Sequence, residues 1–209
     1  MSLLFLDCEI ARCIPSHRTA DNPETDPDEK DRSMYQFCDG WTDFAGMGIS
    51  CVTTFSTQEA RAHVYMRDNL QALIESIRQH DFVVTFNGNG FDIPLLRAND
   101  ILAHHHIDLA SAIWAACGIA AGEQPRHLGL HALCVANGID GKTGNGAAAP
   151  KLFQDGYLGQ LIDYCLGDTI ALLRLWRSIQ DRNGFYDPRI PEGVTQGPWI
   201  RLRPPRGTR

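Results

Sequence analysis

Four acidic residues and one tyrosine fall in three short blocks of this chain, carrying the side-chain types that metal-dependent phosphodiester cleavage needs. The first block, LLFLDCEI, sets Asp7 and Glu9 at the end of an apolar run. The second, VVTFNGNGFD, ends in Asp92, and the third, LIDYCLGDT, pairs Tyr164 with Asp168. Each block alone also fits a blander reading: a solvated strand end for the first, or a buried Tyr–Asp hydrogen bond for the third. Taken together, in this order and each on a definable element, they point to metal-dependent phosphodiester chemistry.

The elements that must position these groups can be read from local pattern. The continuous apolar run Leu3 to Leu6 suits a strand buried on both faces of a sheet. Residues two apart on a strand share a face, so Asp7 and Glu9 point one way and Cys8 the other. Two carboxylates on one face repel unless a cation lies between them. A second strand over Phe82 to Phe86 breaks at Asn87-Gly88-Asn89-Gly90, residue types suited to positive φ. A helix follows over Phe91 to Arg97, with Pro94 in its first turn, because FDIPLLRAND does not alternate as a hairpin strand would. Leu158, Leu161, Ile162, Cys165, Leu172, Leu175 and Trp176 keep helical spacing, which puts Tyr164 and Asp168 one turn apart on one face.

These residues resemble the motifs of the 3′–5′ exonucleases of the DEDD superfamily, on the ribonuclease H-like fold. Asp7-Cys8-Glu9 matches the Asp-x-Glu motif, and Asn87, Phe91 and Asp92 match the second motif. Tyr164 and Asp168 match the Tyr-x-x-x-Asp motif of the DEDDy branch; position 163, where a His marks the other branch, is Asp. The resemblance spans roughly residues 3 to 180 and is nearest to stand-alone relatives of the exonuclease domain of family B DNA polymerases. It departs after the first motif, where Ile10 and Ala11 stand in place of a nucleotide-holding Thr.

The resemblance implies an α/β, ribonuclease H-like fold, a mixed five-stranded sheet flanked by helices on both faces. It implies that Asp7, Glu9, Asp92 and Asp168 hold two Mg²⁺ or Mn²⁺ ions roughly 3.5–4 Å apart around the scissile phosphate. Oxygen ligands suit those ions, whereas zinc would more often take Cys or His. Tyr164 would orient the attacking water, since a phenol with a pKa of about 10 is a poor base at neutral pH. Phe91 would pack beneath the site or against a base, and Asn87 would bind substrate or cap the turn. The implied activity is removal of nucleoside 5′-monophosphates from the 3′ end of single-stranded nucleic acid, DNA slightly ahead of RNA. The alternatives are a structure-specific endonuclease on the same fold and a non-catalytic nucleic-acid-binding module. Replication or repair proteins are possible partners, and the oligomeric state stays open.

Composition fits this frame. At 209 residues with 44% hydrophobic content, the chain can build one sizeable core. The expected division is a domain over residues 1–185 with an acidic loop at 15–39, followed by a Pro- and Arg-rich tail over 186–209. A formal charge of −6 argues against a broad cationic surface coating duplex nucleic acid, and less against gripping one short end. Seven cysteines without a CxxC pair, no 18-residue apolar run and no basic leader make a reduced cytoplasmic protein the expectation.

Further strands are expected over Phe44 to Phe55 and Arg61 to Met66, then a helix over Asn69 to His80. Asp108 is expected to cap the helix that follows it. Lys142 and Lys151, in a loop from Gly138 to Gly156, either contact substrate phosphate or lie on a solvated surface. Gly141-Lys142-Thr143 lacks the earlier glycine of a phosphate-binding loop, because position 136 is Ala. The triplet His104, His105 and His106, and the pair His127 and His131, lack acidic or thiol partners at metal-ligand spacing. The tail, with Trp199, Arg201, Arg203, Arg206 and Arg209, is either a nucleic-acid-binding arm, a packed strap or disordered.

Overall fold

The computed structural model describes residues 1–15, 33–120, 123, 125–140, 146–190 and 194–202. Most of the loop expected at 15–39, Lys142, and the last three arginines of the tail lie outside the described residues.

The first apolar run extends into an eight-residue strand, β1 (Leu3–Ile10), which pairs with strands on both sides. Strands β2 (Ile49–Ser56) and β3 (Arg61–Met66) add antiparallel on one flank. Strands β4 (Phe82–Thr85) and β5 (His106–Asp108) add parallel on the other, giving the order β3-β2-β1-β4-β5. The sheet is therefore mixed and five-stranded, as expected.

Strand alternation divides the core into two layers. Leu4, Leu6, Cys8 and Ile10 face helices α2 (Leu70–Arg78) and α3 (Asp92–Ala98) through Leu73, Ile77, Leu95 and Leu96. Leu3 and Phe5 face α4 (Leu109–Ala116), α5 (Leu130–Ala136) and the long C-terminal helix, where Phe5 meets Trp176 edge-on at 5.8 Å. Asp7 and Glu9 continue the Leu3–Phe5 side, which sends both carboxylates toward that same helix.

Two expectations need correction. Phe44–Met47 is a short helix rather than the start of a strand; in chain order it is α1 and the helices above follow it. Asp43 caps it by accepting from Gly46 N at 2.8 Å, and a Cβ at Gly46 would collide with that carboxylate. The loop expected from Gly138 to Gly156 contains a 3₁₀ turn, Gly146–Ala148, and helix α6 (Ala149–Gln154). Apolar burial orders it: Ala149 packs with Cys51, Leu161 and Cys165.

Helix α7 (Leu158–Arg182) then crosses β1 and β2 and ends at Asn183, left-handed at φ 54°. Beyond it, β6 (Gly184–Tyr186) pairs antiparallel with β7 (Trp199–Arg201). Phe185 is fully buried, and Asn137 exchanges two hydrogen bonds with the Tyr186 backbone. The described part of the tail is a packed strap, with Trp199 edge-on to Tyr186 and Arg201 exposed.

Candidate active site

The three sequence blocks meet at the carboxyl ends of the parallel strands. Asp7 and Glu9 project from β1, and the β1–β2 register shifts at Glu9/Ile10, an irregularity that re-aims the strand end beside the acids. Asp92 opens α3 and folds back onto β1, its Oδ1 accepting from Cys8 N at 3.0 Å. Tyr164 and Asp168 lie one turn apart on α7, which packs across β1. Burial and the charges of Asp168, Glu9 and Asp7 all push the Tyr164 phenol above its ordinary range. A phenol held this way offers a hydrogen-bond donor at neutral pH.

Three of the four acids are nearly enclosed, Glu9 at 7%, Asp92 at 4% and Asp168 at 5% exposure. Desolvation lifts Asp92 to about 7, against the opposing pull of its own amide and that of Cys8. A nearby divalent cation would remove that penalty. Donor atoms of Asp7, Glu9 and Cys165 lie within 4.8 Å of one another, close enough to converge on one ion. The carboxylate-rich set fits a hard cation such as Mg²⁺ or Mn²⁺. Among the described residues neither histidine set forms such a cluster. His106 Nε2 instead bonds Thr85 Oγ1 at 2.8 Å, while His104 and His105 border a shallow cavity with His80, before β4 and β5 begin.

Asp108 does more than cap α4. Its Oδ1 accepts from Asn87 N at 2.8 Å and Ala110 N at 3.0 Å, and its Oδ2 accepts from Asn89 N at 3.1 Å. One carboxylate thus ties the turn before Asp92 to the end of the neighbouring strand. Asn87 sits left-handed at φ 64°, a region Asn enters more easily than most residues, and its side chain lies over Gly90. Phe91 packs edge-on to Phe44 at 6.4 Å, beneath the start of α3. Gly88 fits where a Cβ would overlap Thr85 Oγ1. Gly88→Ala is expected to destabilise the fold by about 2 kcal/mol through this overlap, read as a shift in the urea midpoint.

Lys151, on α6, lies 5.1 Å from the Tyr35 ring centroid. The helix is anchored beside the strand end by Gln154, whose Nε2 donates to Ala11 O at 3.0 Å. Two residues were not marked by the sequence pattern: Cys165 in the acid cluster and Thr53, directly across from Asp7 on β2. The position of Cys165 between Tyr164 and Asp168 on one helix was the available signal; the Thr53 pairing is long-range and left none.

A family model described as the RNase_H superfamily matches residues 24–180. The chain belongs to the RNase_H superfamily. The matched segment covers β2 through most of α7, including Asp92, Tyr164 and Asp168; β1, with Asp7 and Glu9, precedes it. Among solved structures, this RNase_H-superfamily chain is similar to the family B DNA polymerase from the hyperthermophilic archaeon Pyrobaculum calidifontis. That similarity has a TM-score of 0.51 at 12% identity and covers 85% of this chain. The chain spans 24% of the polymerase, so the likeness is one of fold. No curated protein sequence matches the chain. Family and fold together support a nuclease-type activity. No helix among the described residues is long and apolar enough to cross a membrane.

Proposed function

We propose that this chain is a metal-dependent 3′–5′ exonuclease acting on single-stranded nucleic acid and releasing nucleoside 5′-monophosphates. The observation that carries the proposal is the convergence of β1, the turn before α3, and α7, which brings four carboxylates and a protonated tyrosine to one sheet end. In this reading Asp7, Glu9, Asp92 and Asp168 hold two Mg²⁺ or Mn²⁺ ions. When bound, the ions lower the pKa of water and stabilise the departing 3′ oxygen.

The chain's own groups supply the rest. Tyr164 donates its phenolic proton to orient the attacking oxygen. Asp108 keeps the turn before Asp92 in register. The Phe44–Phe91 pair packs against the start of α3 and would steady Asp92 there. In this reading Lys151, from α6, and Lys142 would contact a substrate phosphate. Asn87, whose backbone is held by Asp108, would present its side chain to the terminal nucleotide. DNA is set slightly ahead of RNA, and replication or repair proteins are the partners this chemistry would serve.

The test is digestion of 5′-labelled single-stranded DNA and RNA with Mg²⁺ or Mn²⁺, with EDTA as the metal-removal control. A ladder shortening from the 3′ end, abolished by EDTA, is the expected result. Cutting that persists when the 3′ end is blocked would identify an endonuclease instead. Binding without degradation under either metal would identify a non-catalytic module.

A further inference from the structure

We infer that Cys165 is a positioning residue for Asp7, its thiol orienting that carboxylate for a divalent cation; this rests on the acid cluster being a metal centre. Cys165 follows Tyr164 on α7 and is fully buried. Its sulfur lies 3.4 Å from Asp7 O and 3.5 Å from Asp7 Oδ2, within the longer reach of sulfur hydrogen bonds. A thiol is ordinarily protonated at neutral pH, and Asp7 offers it only acceptors. The single thiol proton is therefore shared between the carbonyl and the carboxylate of Asp7, from α7 to β1.

The thiol is itself held in place. Thr53, directly opposite Asp7 on β2, donates its hydroxyl to the Cys165 sulfur at 3.3 Å. Thr169, one turn beyond Cys165, donates to the Thr53 hydroxyl at 2.7 Å, with Thr53 O at 3.2 Å as a second acceptor of the same proton. Thr53 and Thr169 are both fully buried, so this chain cannot be replaced by solvent. The Cys51 sulfur also adjoins Cys165, but a thiol is a weaker acceptor than a carboxylate. The sulfur lies close enough to reach an ion shared with Asp7 and Glu9. Hard cations prefer oxygen ligands, however, which assigns the thiol to the shell behind Asp7. Groups that orient metal ligands typically change metal affinity by roughly 10–100-fold when removed.

The experiment is direct Mn²⁺ binding to the substrate-free protein, followed by the electron paramagnetic resonance signal of free Mn²⁺. Wild type, Cys165→Ala, Cys165→Ser, Cys51→Ala and Asp7→Ala are compared, with thermal melting of each as the folding control. Cys165→Ala is expected to weaken Mn²⁺ binding at least about 10-fold. Cys165→Ser, which restores a donor, should return close to wild type. Cys51→Ala, which removes a neighbouring buried thiol of equal size, should leave affinity unchanged. Equal loss in the Ala and Ser variants, or in Cys51→Ala, would make the effect one of packing and overturn the inference. Wild-type affinity in Cys165→Ala with loss in Asp7→Ala overturns the role of the thiol and leaves the metal centre standing. A wild-type protein that binds no Mn²⁺ overturns both.

Discussion

Asp7→Ala and Asp168→Ala are each expected to reduce nuclease turnover by at least about 10³-fold, because losing several kcal/mol of charge stabilisation at the transition state has that effect. The two residues enter from separate elements, β1 and α7, so a shared effect on turnover would report a shared site rather than damage to one segment. Nucleic-acid binding should survive largely intact, since the proposed reading also gives the substrate contacts with Asn87 and Lys151. The fold should survive as well. Removing a carboxylate from a cluster of like charges relieves repulsion. Single-turnover rates on labelled oligonucleotides, alongside binding to the same oligonucleotides in EDTA, separate the two properties. Activity within tenfold of wild type in both variants would place the chemistry elsewhere.

Asp108→Ala is expected to destabilise the protein by roughly 3 kcal/mol, as a lost helix cap adds to buried backbone donors left unpaired. The carboxylate accepts from the backbone of Asn87, Asn89, Ala110 and Ser111, and from the Ser111 hydroxyl. Its loss frees the turn before Asp92 and frays the start of α4 together. Turnover should therefore fall further than a capping defect predicts, while a Ser at position 108 restores part of the cap but not the clamp on both asparagines. Urea unfolding and single-turnover rates on the same preparations test this. A loss of stability below about 1 kcal/mol, the size of an isolated cap, would show that the turn holds without Asp108.

The legible part of this chain lay in short-range pattern. Alternation on β1 already assigned Asp7 and Glu9 to one face, and the four-residue spacing of Tyr164 and Asp168 already placed them on one side of a helix. The expectation for Asp108 as a cap was also local, and the structure shows the cap. Where local pattern misled, a side-chain cap or a buried contact overrode it. FAGM carries enough apolar residues to read as a strand start, but the Asp43 side chain closes it into a helical turn. The stretch through APKLFQ looked like a loop because its helix is short, and it is ordered by burying Ala149 against Cys51 and Cys165.

What the sequence by itself determined was which groups are chemically competent and which face of its own element each one takes, because strand and helix periods are set by neighbours a few residues away. Only the tertiary structure decided that α7 lies over β1, that Asp92 reaches the Cys8 amide, that Asp108 ties two strand ends together, and that a Thr53–Cys165 pair stands behind Asp7. Those contacts join residues from 19 to 158 positions apart, and no local preference encodes such a pairing. They follow from how two apolar layers close on either side of one sheet.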